Sequence, residues 1–244
     1  MNKFSERGED QANKSVVSSG KALVARDVGK SYATPNGRLK VLSGLDLEVT
    51  RGTILAILGT SGAGKSTLLN ILGTLDRADT GTLLIGEQRI DRMSEGELAR
   101  FRARRLGFIF QFHHLLPEFD AQENVMMPLL IAGTEAEEAR SRAREALASV
   151  GLPSRWEHYP AQLSGGEAQR VAVARALVSH PDLVLGDEPS GNLDPAAASA
   201  LHELMSSLAR EQHQTFVLVT HSDRLAAVAD RVLTLESGRL LGPA

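Results

Sequence analysis

The run Gly59-Thr60-Ser61-Gly62-Ala63-Gly64-Lys65-Ser66 constrains this chain more than any other feature. Its G-x-x-x-x-G-K-S spacing lets the backbone curl so that successive N–H groups point inward at phosphate oxygens. A strand-length apolar run, residues 53–58, leads into it, and a helical pattern, residues 67–75, leads out. The helix start adds its positive dipole end to the same place. Lys65 is placed to reach β- and γ-phosphates and Ser66 to ligate Mg²⁺. The alternative is a glycine-rich turn that binds nothing. Chance produces the pattern in on the order of one chain in a hundred at average glycine usage, and the strand before and helix behind make it rarer still.

A second element is Leu183-Val184-Leu185-Gly186-Asp187-Glu188. An apolar strand that ends in acids delivers carboxylates to the carboxyl edge of a sheet, where α/β folds bind ligands. Asp187 can hold Mg²⁺ through water, and Glu188 can orient or deprotonate an attacking water. Acids often follow strands, so this pair gains weight only beside the phosphate loop. The third element, Leu163-Ser164-Gly165-Gly166-Glu167, precedes an Ala/Val-rich helix. Ser164 sits as an N-cap and the two glycines bare the amides of the helix start, which makes a second anion site. Read alone, it is an ordinary helix cap.

Strand-length runs alternate with helical patterns along the 244 residues, which predicts an α/β domain with a mostly parallel sheet. Residues 112–163 break the alternation and read as helices only, including one over 134–150 opened by a Thr134/Glu137 capping box. That predicts one domain over 21–244, with a core at about 21–111 and 164–244 and a helical lobe at about 112–163. Arg140, Arg142 and Arg144 read as a solvated helix face. The first twenty residues are polar, lack a signal-peptide core and read as a disordered tail. A net charge of −3 argues against a wide basic surface for nucleic acid, and no nucleic-acid partner is expected. Without cysteine the chain has neither disulfides nor thiolate metal sites. No apolar run approaches the ~18 residues of a membrane span.

These motifs, in this order, resemble the ABC ATPase family over essentially everything from residue 23 to residue 238. The resemblance implies a P-loop core with an N-terminal antiparallel β part and an inserted helical subdomain, with ATP and Mg²⁺ as cofactors. It implies that Gly59 to Ser66, together with Thr67, cradle the phosphates. Gln111, after the strand 106–110, matches the glutamine that contacts Mg²⁺ and water and senses the γ-phosphate. Ser190-Gly191-Asn192-Leu193-Asp194 matches the D-loop, and His221 matches the switch histidine that contacts the γ-phosphate. Tyr32 stands where the family stacks an aromatic ring on adenine. Lys65, Glu188 and His221 are then the catalytic residues. Glu167 stands where the family most often has glutamine, and is a frequent variant. The resemblance also implies a head-to-tail homodimer, each ATP clamped between one chain's phosphate loop and the other chain's Ser164, Gly165 and Gly166.

A narrower similarity lies in residues 106–131, where Gln111-Phe112-His113-His114-Leu115-Leu116-Pro117 leads into Met127-Pro128-Leu129-Leu130-Ile131. This segment is similar to the ATPase subunits of lipoprotein-releasing complexes. It implies docking on two permease subunits at the cytoplasmic face of the inner membrane, with no direct contact to cargo, and release of outer-membrane-directed lipoproteins to a periplasmic carrier. Macrolide-exporter ATPases and the ATPase of a cell-division permease, which signals without transport, are the alternatives. Soluble ABC ATPases of DNA repair or translation usually carry two cassettes or a long coiled-coil insert, and this chain has neither. A regulatory GTPase is disfavoured because no Asn-Lys-x-Asp motif is present. His113 and His114 read as docking surface rather than metal ligands, for want of a third ligand.

Overall fold

The computed structural model describes residues 20–35 and 37–242; the expected tail, apart from Gly20, lies outside them. Strand β1 (Lys21–Thr34) pairs antiparallel with β2 (Gly37–Thr50) and with β4 (Thr80–Ile85), which pairs with β5 (Gln88–Arg89). The second sheet has six strands in the order β10-β9-β3-β8-β7-β6. Within it β3 (Ile54–Leu58), β6 (Leu106–Phe110), β7 (Leu183–Asp187), β8 (Phe216–Thr220) and β9 (Arg231–Glu236) run parallel; β10 (Arg239–Leu241) turns back antiparallel to β9. The antiparallel part and the mostly parallel sheet are the ones expected.

Both faces of the parallel sheet are covered, so its strands are apolar without alternation. Leu55, Ile57, Leu185, Val217 and Val219 pack on the face shared with helix α1 (Lys65–Leu72). Ile54, Val184, Phe216 and Leu218 pack on the other face, against α5 (Gly165–Leu177) and α6 (Pro195–Gln212). Phe216 is fully buried there, and truncation to alanine is expected to cost about 3–5 kcal/mol. The helix bearing Lys65 and the helix capped by Ser164 therefore lie on opposite faces of one sheet. Gly107 lets α5 close on β6: a Cβ there would stand 2.3 Å from the carbonyl oxygen of Ala176.

Residues 112–163 contain α3 (Ala121–Ile131), α4 (Ala136–Ser149) and a 3₁₀ turn (Pro160–Gln162), with no strand. The Thr134/Glu137 capping box does not form. The Thr134 amide is instead spent on the carbonyl of Leu129 at 2.9 Å, closing α3, and α4 starts after Glu135 without a side-chain cap. Capping boxes form instead at Asp120–Glu123 on α3 and, among other places, at Ser94–Glu97 on α2 (Glu95–Arg105), a helix the hydrophobic pattern does not announce. The arginine run is exposed at Arg140 and Arg144, as expected of a solvated face, and half-buried at Arg142. Arg142 donates to the Val178 carbonyl at 2.8 Å, and the Arg144 guanidinium lies 4.1 Å from the Trp156 ring centroid. Long cationic stems cover neighbouring surface while their heads find acceptors, which a charge pattern cannot reveal.

Candidate functional site

Strand order builds the site. The neighbours β3, β8, β7 and β6 end at one edge, in register Leu58↔Thr220, Asp187↔Val219 and Phe110↔Asp187. That edge therefore presents, side by side, the loop from Gly59, then His221, then Asp187 and Glu188, then Gln111. Four motifs scattered over 160 residues of sequence become one row because parallel strands share the direction of their carboxyl ends.

Gly64 caps α1 at φ 103°, a left-handed conformation that costs a side-chain-bearing residue strain. Gly62, at φ 79°, makes the other left-handed bend of the loop. Lys65 folds back over the loop and donates to the carbonyls of Gly59 at 2.6 Å and Thr60 at 3.1 Å. Its ammonium is thereby held over the concavity that Gly59 to Thr67 line. Burial raises the Asp187 carboxyl above its ordinary range, and the Glu188 charge adds to this; Lys65 and a Ser66 hydrogen bond oppose them. A divalent cation would relieve that cost. Ser66 hydroxyl plus one carboxylate fits Mg²⁺, which keeps most of its waters and takes few protein oxygens. Among the described residues no cluster of three His, Cys, Asp or Glu could hold a metal, His113 and His114 included.

Glu188 adopts φ 46° and is fixed on three sides. Its amide donates to the Val219 carbonyl at 2.9 Å, and its Oε2 accepts from the Thr220 hydroxyl at 2.8 Å. His221 Nδ1 stands 2.6 Å from Oε1. A carboxylate only accepts, so Nδ1 carries the proton and Nε2 faces away from the glutamate. Gln111 turns to the D-loop: its Nε2 donates to Asn192 Oδ1 at 3.0 Å, and Asn192 Nδ2 donates back to the Gln111 carbonyl at 3.2 Å. Asp194 caps α6, accepting from the amides of Ala196 and Ala197 at 3.0 Å each.

Ser164 caps α5, accepting from the Glu167 amide at 3.3 Å. Glu167 Oε2 accepts in return from the Ser164 amide and hydroxyl, both at 2.9 Å, while Oε1 takes Arg155 Nε at 2.9 Å. Arg155, then the Ser164 donors, pull the Glu167 carboxyl down to about 2. The first turn of α5 packs on the D-loop helix: a Cβ on Gly166 would meet that of Ala197 at 3.1 Å. Two groups tie α5 to the segment around Gln111. Gln169 Nε2 donates to the Phe110 carbonyl at 2.9 Å, and Arg175 donates to the carbonyls of His113 at 2.6 Å and His114 at 2.8 Å. Arg175 lies deep enough that burial pulls its guanidinium below the ordinary arginine range.

At the far side of the phosphate loop, the Tyr32 phenol donates to Asp76 at 2.7 Å. That bond, with burial second, raises the phenol above its ordinary range. Thr220, Arg155, Gln169, Arg175 and Asp76 are contacts the sequence reading did not contain. Thr220 alone had a local signal, as the last strand residue before His221.

The ABC transporter family profile matches residues 42–191. The lipoprotein-releasing system ATP-binding protein LolD of Porphyromonas gingivalis is 55% identical over 218 residues, covering 89% of this chain and 98% of that protein. The protein of the same name from Xanthomonas campestris pv. campestris is 52% identical over 228 residues, covering 93% and 95%. Among solved structures, the dimeric post-hydrolysis state of the ATP-binding cassette MJ0796 bound to ADP and phosphate aligns at TM-score 0.80 and 36% identity, covering 89% of this chain and 96% of that one. The cbiO1 subunit of a Clostridium perfringens ABC transporter complex aligns at TM-score 0.82 and 27% identity, covering 91% and 88%. A profile match across the phosphate loop, the Ser164 helix and the strand-end acids, together with relatives identical at more than half their positions, places this chain in the ABC transporter family of ATP-binding subunits.

Proposed function

We propose that this chain hydrolyses ATP as one of a pair of subunits that drive the release of lipoproteins from the inner membrane. The observation that carries the hydrolytic part is the row of Lys65, Ser66, Asp187, Glu188 and His221 along one sheet edge. Glu188 is the general base: it accepts a proton from the attacking water as the water oxygen bonds to the γ-phosphorus and the bond to the β–γ bridging oxygen breaks. Thr220 and His221 aim its two oxygens, and His221 Nε2 faces the γ-phosphate, to which it donates only in the imidazolium form. Lys65 and the amides from Gly59 to Thr67 hold the β- and γ-phosphates. Ser66 and Asp187 would hold Mg²⁺, with Gln111 reaching the same cation when it leaves Asn192. When bound, Mg²⁺ neutralises charge on the β- and γ-oxygens.

The placement of α1 and α5 supports a head-to-tail pair. Because α1 and α5 lie on opposite faces, a second copy supplies the Ser164, Gly165 and Gly166 helix start to the phosphates that the first copy's Lys65 loop holds, with Asp194 and the rest of the D-loop beside the joint. A γ-phosphate then favours the closed pair, and its hydrolysis releases it.

The chain divides most naturally into a core at about 21–111 and 164–244 and a helical lobe at about 112–163. The lobe carries the docking face. Phe112, Leu130 and Ile131 are exposed, whereas Leu115 is core. Beside them runs a groove of about 420 Å³, lined by Leu75, Phe108, Leu116, Met127, Pro128 and Ile131. It suits a helix of a permease subunit, one per copy, at the cytoplasmic face of the inner membrane. No helix among the described residues is long and apolar enough to cross a membrane itself. Lipoprotein release is supported by the names of the relatives above, and cargo contact is left to the permease. Depletion of the protein in its native cell, followed by membrane fractionation, tests this: outer-membrane lipoproteins retained in the inner membrane support it. Normal sorting with a defect in drug efflux or division would reject it.

A further inference from the structure

The Tyr32 corner holds a network that the hydrolytic reading does not use. Asp76 accepts from the Tyr32 phenol at 2.7 Å, from Lys30 Nζ at 2.7 Å and from the Arg77 amide at 2.7 Å. Lys30 also donates to the Arg77 carbonyl at 2.7 Å. Its ammonium stands over the Tyr32 ring, 5.1 Å from the centroid. The Lys30 side chain is only 10% exposed, whereas Tyr32 is 37% exposed. Burial works to raise the Asp76 carboxyl, but the Lys30, Tyr32 and Arg77 hydrogen bonds outweigh it and hold it below its ordinary range. The Thr67 hydroxyl borders the same phenol.

Two consequences follow. The ammonium stands over one face of a ring that is part-exposed, and a cation there leaves a planar group the opposite face to stack on. Asp76 lies just past the end of α1, the helix that begins at Lys65, so its bond to Tyr32 sets the ring's distance from the phosphate loop. An exposed aromatic ring free to change rotamer would have to be ordered when a base stacks on it, and that cost comes out of affinity. Here the ring is ordered beforehand.

We propose that Asp76 and Lys30 are positioning residues for the nucleotide base, holding Tyr32 as a fixed stacking platform at a set span from the phosphate loop. The proposal rests on the reading of Tyr32 as that platform. Stacking reads a π face rather than an edge, so ATP and GTP are affected alike.

The test is steady-state hydrolysis by the full chain and by Tyr32→Ala, Asp76→Asn and Lys30→Met, with inorganic tripolyphosphate as a competitor that has phosphates and no base. Asp76→Asn and Lys30→Met should each raise KM for ATP and for GTP about fivefold with kcat held, and tripolyphosphate should inhibit every variant as it inhibits the parent. In a Tyr32→Phe background, Asp76→Asn should add less than about twofold, because the bond it breaks is already gone. If Tyr32→Ala raises KM while Asp76→Asn and Lys30→Met leave it unchanged, the platform stands and the positioning proposal falls. If Tyr32→Ala leaves KM unchanged, both fall. Parallel loss of tripolyphosphate inhibition would show that the substitutions act through the phosphate loop, and would overturn the proposal.

Discussion

His221 Nδ1 lies 2.6 Å from Glu188 Oε1, across 33 residues of sequence, while the Thr220 hydroxyl holds the other carboxylate oxygen at 2.8 Å. The glutamate proposed to take a proton from water is therefore aimed by the last residue of the neighbouring strand and the residue after it. Glu188→Gln keeps the shape, but its amide accepts at only one of the two positions and cannot take the proton. Turnover should fall by about 10²–10⁴-fold with ATP binding retained. A single-turnover assay checks it, and hydrolysis at the parent rate would remove Glu188 from its role.

Lys65 already has its ammonium over the loop, donating to two backbone carbonyls. Replacement by alanine removes a charge-assisted contact to phosphate. Nucleotide affinity should weaken by about 10- to 100-fold in equilibrium titration.

On the proposed clamp, pairing depends on the γ-phosphate. Glu188→Gln with ATP should run as a dimer in light scattering, and the nucleotide-free chain as a monomer. Ser164→Arg, which fills the helix start that Ser164 caps, should return the Glu188→Gln chain to monomer in ATP. Equal masses in all three states would contradict the clamp.

Glu167 is a titration marker for the start of α5. Its folded-state value of about 2 lies below the ordinary 4.5, so the stability it contributes is complete above the ordinary value and is lost as pH falls through the folded one. The side-chain carboxyl resonance of Glu167 should stay in its ionised position between pH about 5 and about 3.5. Arg155→Ala removes the largest cause of the shift and should bring that titration up into the same window.

The stretches that read correctly from sequence are those in which neighbours along the chain decide the outcome. The Gly59–Ser66 loop, the Ser164 cap and the apolar strand ending at Asp187 each need only contiguous residues: glycine for left-handed backbone, a hydroxyl before a helix, acids after a strand. Where the reading failed, a contact outside the motif intervened. Thr134 does not open α4 because Leu129 takes its amide, and Arg142 turns half-buried to the Val178 carbonyl.

The sequence by itself determined that the chain has a phosphate loop, a strand-end acid pair and a second capped helix start, and their order along the chain led to the family. Only the tertiary structure decided that Glu188 is aimed by Thr220 and His221, that Tyr32 is pinned by Asp76 and that Glu167 is paired with Arg155. Those contacts depend on strand order, register and side-chain direction, which are settled by packing both faces of one sheet at once. A hydrogen bond between residues 30 or 40 positions apart forms where the core leaves two polar groups within 3 Å, and no local pattern encodes that distance.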